Sequence, residues 1–561
     1  MSTPPTEGTP HARPHATHEV FNQSPPRVDL DEAATDVALL EAVRRHQAEW
    51  AVDDLHAVGS LVGSASFQRD AVLANTVTPV LRAVDRWGHR MDEVDYHPAY
   101  HRIIGAAVAH GAHTAAWAQP QPGANVARAA TFLLFAQVEP GHACPVSMTH
   151  AAVPTLLLQP DVGEQWLPRL LSRDYDDELG DAKKPSALVG MAMTEKQGGS
   201  DVRANTTVAV PTGAGGPGST YLLTGHKWFC SAPMSDAFLV LAQATGAGGE
   251  GLSCFLLPRV LPDGTRNAFR VQRLKDKLGN RSNASAEVEL DGTVAVMVGE
   301  PGRGVRTIIE MVNRTRLDCV LGSAAGMRQC VAEAVWHARH RSAFGRLLID
   351  QPAMSAVLAD LALESEAAIA TAMRLARAHD DDAGDEHFRR LATAVSKYWI
   401  CKRGPHHAYE AMECLGGNGY TEEFPLARRY REQPVMAVWE GSGNVIALDV
   451  LRALRREPES RDAFEAEVTL ARGGHPLLDA HLDRLADEVR SIVTAEPDVA
   501  ERGVRRLVEA MALSLQASLL VRFAPTAVSD GFVTSRLGPD RCHEYGTLPS
   551  GTDVTGILER C

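Results

Sequence analysis

The chain has 561 residues, 45% of them hydrophobic and 22% charged, with a net charge of −14 and a pI near 5.9. Such a length exceeds a single hydrophobic core and sets an expectation of roughly two to four domains. The acidic balance gives no global reason to expect nucleic acid or an anionic membrane as partner, and no stretch approaches the roughly 18 consecutive apolar residues of a membrane span.

Residues 1–18 are rich in Pro, Thr and His and read as a disordered tail, neither a signal peptide nor a transit peptide. From 19 to 187 the apolar residues recur at helical spacing, as in Val37, Leu40 and Val43, and predict an N-terminal helical domain. Within 188–300, six short β-branched or alternating runs predict an antiparallel β sandwich or barrel. They are Thr206–Val210, Thr220–Leu223, Ala237–Ala242, Leu252–Leu257, Phe269–Leu274 and Ala284–Leu290. Helical periodicity returns over 301–456, and an extra helical domain is expected over 457–561, with its final forty residues irregular. The predicted fold class is therefore α+β, mainly α, without internal repeats. Nine cysteines from Cys144 to Cys561 form no C-x-x-C pair and read as thiols of a reducing cytoplasm. His406-His407 and the His337/His340 pair have no ligand set nearby in sequence, so no metal is expected.

Five segments carry chemistry. Met191 to Val202 includes Met193, Thr194, Gly199 and Ser200. Its hydroxyls and Gly-Gly-Ser turn suit a pyrophosphate or carbonyl ligand, or simply a lead-in to a sheet. It is neither a Rossmann nor a Walker loop. Gly225 to Ser231 reads as a turn between strands where Trp228 and Phe229 either stack on a planar cofactor or fill the core, with Cys230 and Ser231 beside them. Arg341, Phe344 and Gln351 share one short loop; a guanidinium fork fits a pyrophosphate, although a lone arginine is usually a surface charge. Gly416 and Gly417 follow a helix end, as a cofactor contact or a plain cap. Val438-Trp439-Glu440-Gly441-Ser442-Gly443-Asn444 sets a carboxylate beside an indole, which desolvates it toward the range of a general base; the same tetrapeptide also occurs in surface turns.

In this order and spacing the segments resemble the acyl-CoA dehydrogenase superfamily, through T-E-x-x-x-G-S-D, W-x-x-S, R-x-x-F-G, G-G-x-G and the E-G loop. A closer similarity is to its adaptive-response branch. Its carriers are His18–Gln23, Met193–Val202, Arg273–Ser285, Ile400–Gly404 and Trp439–Asn444.

The resemblance implies FAD as cofactor, with Glu440 as the base in α,β-dehydrogenation of a short or branched acyl-CoA. It implies that Met191, Met193, Thr194, Gly199, Ser200, Phe229, Cys230, Ser231, Trp439, Ser442 and Asn444 line the cofactor. Thr194, Ser200, Ser231 and Arg316 would also meet the substrate. Gly416 and Gly417 would allow close approach at the far end of FAD, and Arg341, Phe344 and Gln351 would come from a neighbouring subunit of a homotetramer. An electron-transfer flavoprotein is the expected redox partner. Isovaleryl-CoA dehydrogenase and some other members carry their glutamate one residue before the position of Arg316; here that residue is Thr315. Lys196, Gln197 and Ala343 depart from the family pattern, the first two bringing longer polar side chains to the substrate approach.

The adaptive-response likeness implies an alternative: a flavoprotein of the response to DNA alkylation that binds duplex DNA through its C-terminal helices, or that acts directly on a small electrophile. Residues 445–561 hold 14 Arg and no Lys against 19 Asp and Glu, a net charge of −5. DNA affinity would then rest on local trios at helical spacing, Arg452, Arg455 and Arg456 or Arg502, Arg505 and Arg506, unless both are solvated helix faces.

Overall fold

The computed structural model describes residues 17–180, 184–246 and 248–561, so all but the last two residues of the expected tail lie outside it. Helices α1 (Val37–Arg45), α2 (Val52–Gly63), α3 (Ala65–Thr76), α4 (Pro98–Ala109), α5 (Ala115–Ala118), α6 (Ala124–Val138), α7 (Ala143–Leu157) and α8 (Pro160–Leu170) form the N-terminal part. Their starts follow local chemistry. Asp36 caps α1 by accepting from the Leu39 N–H, and Ser64 caps α3 through the Phe67 N–H.

One element there escapes helical periodicity. Strands β1 (Val80–Val84) and β2 (Arg90–Asp95) form a hairpin between α3 and α4. Asp85 accepts from the Trp87 and His89 N–H groups to shape its turn. The hairpin ties the helices to the β domain, because Asp92 Oδ1 accepts from the Val271 N–H at 2.8 Å.

The six predicted runs appear as β4 (Val208–Pro211), β5 (Thr220–Ser231), β6 (Ala237–Ala244), β7 (Gly251–Pro258), β8 (Phe269–Leu274) and β9 (Ser285–Val298), joined by β3 (Val189–Ala192). The order is β3-β6-β4-β5-β9-β7, and an additional β6–β7 pairing closes the sheet on itself. It is not wholly antiparallel, since β6 runs parallel to both β3 and β4. The interior is filled by Tyr221, Phe238, Phe255 and Met297, and the outer face of β3, β6 and β7 packs on α7 and α8. The segment expected as a turn, Gly225 to Ser231, is instead the second half of β5, bulged between Lys227 and Cys230.

Helix α9 (Gly304–His340) is apolar on most sides and runs through the middle of the molecule against α6, α7, α10 (Pro352–Arg377) and α11 (Glu386–Glu413). Then come α12 (Pro425–Met436), α13 (Gly443–Arg456), α14 (Pro458–Thr469), α15 (Pro476–Thr494) and α16 (Pro497–Phe523). The last forty residues are not uniformly irregular: α17 (Thr526–Leu537) and α18 (Val554–Leu558) pack back on α10. Val528, Phe532 and Ile557 supply the apolar face that the sequence hides among polar neighbours. These C-terminal helices share one continuous core with the N-terminal ones.

Candidate active site

Glu440 lies in the turn between α12 and α13, on left-handed backbone with φ +56°. Such a conformation costs a non-glycine residue free energy and persists only where its surroundings over-determine it. Three consecutive carbonyls are held by buried cations. Lys397 of α11 donates its ammonium to the carbonyls of Trp439, at 2.8 Å, and Gly441. Arg316 of α9 donates from Nε to the Glu440 carbonyl at 3.1 Å. Arg316 is itself fixed by Asp449 of α13, 2.8 Å from its Nη1, and Asp449 also pairs with Arg390.

The Glu440 carboxylate faces Thr315, whose Oγ1 lies 2.8 Å from Oε2. Burial raises the Glu440 pKa above the usual glutamate range, against the opposing pull of Thr315, Arg316 and Lys397. Thr315 thus does more than leave its own position without a carboxylate; it hydrogen-bonds the carboxylate of Glu440.

Beside this carboxylate stands a group of residues that motif reading missed. Cys144, in the first turn of α7, feels the charges of Lys277 and Glu440 and meets Asn283 and Ser231. Lys277 donates to the Asn283 carbonyl at 2.5 Å and to Ser285 Oγ at 3.2 Å. Ser285 Oγ is 3.0 Å from Ser231 Oγ. Burial lowers the Lys277 pKa to about 8. The only signal in the sequence was the Arg273–Ser285 phrase, which carried likeness without chemistry. Its other residues stitch units together: Ser282 donates to Glu139 at 2.6 Å, and the Asn280 N–H donates to Glu432 at 2.8 Å.

The Thr194–Ser200 loop and β5 are joined by a fully buried pair, Lys227 Nζ to Glu195 Oε1 at 2.9 Å. Burial opposes ionisation of Glu195, yet Lys227 and the Thr206 and Thr207 donors bring its pKa down to about 2. The Trp228 N–H donates to the Thr194 carbonyl at 2.8 Å. Gly199 packs so closely that an added Cβ would fall 2.4 Å from Thr194 Oγ1. Ser200 and Phe229 are exposed on the open side, and Ser231 is half-buried. Gln197 does not project toward a substrate; it folds back to donate to Glu195 and to the Ala204 carbonyl.

Two expected cofactor contacts are corrected. The Cys230 side chain points into the barrel core, where burial pushes its thiol up to about 12, because the bulge in β5 resets the alternation. Met191 is buried in the core under α7, leaving only its backbone to reach a ligand; Met193 sits at that core's edge.

The remaining residues suit an extended anionic cofactor. Ser442 and Asn444 are exposed at the start of α13, where first-turn N–H groups lack helical partners. The Trp439 indole Nε1 is buried and unpartnered. Gly416 and Gly417 face open space, with nothing within 4 Å of an added Cβ. Arg341 and Phe344 belong to a hairpin that Asn22 clamps, its amide donating to the Ser342 carbonyl and accepting from the Ser342 N–H. Arg341 donates to the Asn22 carbonyl, Gln351 to the Ala343 carbonyl, and Phe344 is 98% exposed.

The arginine trios do not form patches. Arg455 turns inward to donate to the carbonyls of Ile492, Val493 and Ala495 at the end of α15. Arg505 bonds Tyr398 and Asn444, and Arg506 pairs with Glu488. Of the six, Arg456, Arg502 and Arg505 are exposed without an ion pair among the described residues, Arg505 being held only by neutral partners. Arg452, beside Asp449, instead opens on a cavity of about 650 Å³ with Arg203, Arg303, Arg306 and Arg390. His406 lies near Glu410 and Glu544, one ligand atom of each falling within 4.8 Å of the others.

Residues 22–177 match the adaptive response protein AidB N-terminal domain, 190–293 the acyl-CoA dehydrogenase middle domain, and 302–455 the acyl-CoA dehydrogenase C-terminal domain. The chain belongs to the acyl-CoA dehydrogenase family. It is 47% identical to AidB of Escherichia coli (strain K12), over 84% of this chain and 87% of that protein. Acyl-CoA dehydrogenase family member 11 of Caenorhabditis elegans is 30% identical over 74% of this chain and 68% of its own length. In structure, Bd2924 in its apo form superposes with a TM-score of 0.82 at 28% identity, covering 90% of this chain and all of that one. Caenorhabditis elegans ACDH-11 in complex with C11-CoA gives 0.82 at 26% identity, with 99% and 93% covered. This family member is thus an FAD-dependent oxidoreductase of the acyl-CoA dehydrogenase type. Among the described residues no helix is long and apolar enough to cross a membrane.

Proposed function

We propose that the chain catalyses α,β-dehydrogenation of a short or branched acyl-CoA in the cytoplasm, with Glu440 as base. The carrying observation is the desolvated Glu440 carboxylate, held by Thr315 on a loop pinned by Lys397 and Arg316. Bound FAD supplies the acceptor for the β-hydride. Glu440 takes the α-proton, and its raised pKa brings it nearer the operating pH, where a general base works best. Charge then develops on the thioester oxygen, and Thr194, Ser200 and Ser231 are the proposed hydroxyls at that face.

Arg316 lies in α9 and Arg341 just past its end, roughly 25 residues on, about 37 Å at 1.5 Å per residue. That separation supports a homotetramer in which Arg341, Phe344 and Gln351 serve the cofactor of a neighbouring chain. An electron-transfer flavoprotein is the proposed acceptor of the electrons. Anaerobic mixing of the FAD-loaded protein with a panel of short and branched acyl-CoAs tests the reading. Bleaching of the flavin by at least one thioester is expected, and its absence with all of them would sink it.

A second reading, that the protein binds duplex DNA, is favoured by the cavity at Arg203, Arg303, Arg306, Arg390 and Arg452, where Arg303 and Arg306 have no acidic partner among the described residues. Binding should weaken steeply with salt, and Arg303→Ala with Arg306→Ala should flatten the slope by about 0.9 for each phosphate no longer neutralised. An unchanged slope would remove this cluster from any DNA interface.

A further inference from the structure

We propose that His406, Glu410 and Glu544 bind one divalent transition-metal ion, which clips the segment between α17 and α18 onto α11. His406 and Glu410 are one helical turn apart on α11, so both side chains leave the same face. Glu544 arrives from the non-helical C-terminal stretch, with Oε2 3.1 Å from His406 Nε2. One ligand atom from each of the three lies within 4.8 Å of the other two. Bonds of roughly 2.0–2.2 Å hold the ligand atoms of one metal at most about 4.4 Å apart, so binding would draw the three together.

Two further observations separate this cluster from an ordinary His–Glu ion pair. The first is charge. Glu413 joins Glu410 and Glu544, and among the described residues none of the three carboxylates has a Lys or Arg in ion-pairing reach. A dication neutralises the group where one imidazole does not. The second is what the clip would hold. Tyr545, the next residue, is buried against the rings of His406 and His407 and under the Arg403 guanidinium. The Gly546 N–H donates to Asp360 of α10 at 2.9 Å. Beside the Arg541–Glu509 ion pair and Leu548, the segment thus carries a buried plug and a backbone bond, and a metal at its edge would fix the lead-in to both.

One imidazole with two carboxylates is a borderline nitrogen–oxygen set that suits Zn²⁺, Co²⁺ or Mn²⁺ and disfavours soft Cu(I). Glu544 is 71% exposed, so water can complete the coordination.

The test titrates metal-stripped, full-length protein with ZnCl₂ by calorimetry, and measures bound zinc by mass spectrometry after dialysis. One zinc per chain is expected, together with protection of the 538–553 stretch from limited proteolysis. His406→Ala and Glu544→Gln should each weaken binding by roughly 100-fold or more, beyond the 10–100-fold typical of outer-shell partners. Cys542→Ser, which removes an exposed neighbouring thiol, should leave binding intact. The proposal is overturned by no saturable binding, by binding untouched in both cluster variants, or by binding lost with Cys542→Ser alone.

Discussion

The Glu440 loop and the Arg341–Leu347 hairpin are both short turns with a residue forced to positive φ, yet they are stabilised in opposite ways. At Glu440 every strained unit is answered from within the chain, by Lys397, Arg316 and Thr315 on two buried helices. At the hairpin the answering groups are Asn22 and Gln351, which fix the backbone but leave Phe344 98% exposed at its tip. The first turn is complete within its own chain. The second leaves an apolar side chain uncovered by the described residues of its own chain, which is how a contribution to a neighbour's site would look.

Breaking the first turn should have the larger effect. Lys397→Met leaves two buried carbonyls without their donors, and is expected to lower stability by about 2–4 kcal/mol. It should also cut kcat by about 100-fold, the scale on which a misplacement of about 1 Å acts. Urea denaturation and turnover measure the two, and wild-type values in both would show that the loop holds itself. Changing the hairpin in the Arg341→Ala, Phe344→Ala double variant should weaken FAD retention by about tenfold, the worth of roughly one charge-assisted hydrogen bond. The loss should grow on dilution, as subunits separate; FAD retention independent of protein concentration would deny the hairpin a role in a neighbour.

Thr315→Val has the smallest expected effect and the most specific. Thr315 bonds the ionised form of Glu440, whose pKa is already raised by burial, so removing it should raise that pKa further. The base is active only above its pKa, so activity should begin to fall at higher pH on acidification than in the wild type. An acid limb that stays in place or moves down would exclude this bond.

What the sequence disclosed was whatever lies close along the chain. The alternating runs of the barrel, the long amphipathic helices and the tight motif around Glu440 are local patterns. What it withheld depends on packing between distant segments. Nothing near Glu440 in sequence points to Lys397 or Cys144, because α7 and α11 come together against α9 only after folding. Cys230 shows how a local rule fails, since one bulge in β5 turns a residue expected beside the cofactor into the barrel core. The arginine trios fail for a related reason: helical spacing aligns side chains on one face but cannot tell whether a side chain is drawn into contacts of its own chain, as Arg455 is by the carbonyls ending α15 and Arg505 by Tyr398. The hairpin at 80–95 and helices α17 and α18 are short, with apolar faces of only a few residues, and leave too weak a period to read.

The central claim is that Glu440 takes a proton from a thioester, and Glu440→Gln tests it most directly. The variant should retain FAD while its anaerobic bleaching by the best acyl-CoA slows by about 10²–10⁴-fold, the usual worth of a general base. Bleaching at the wild-type rate in Glu440→Gln would contradict the account.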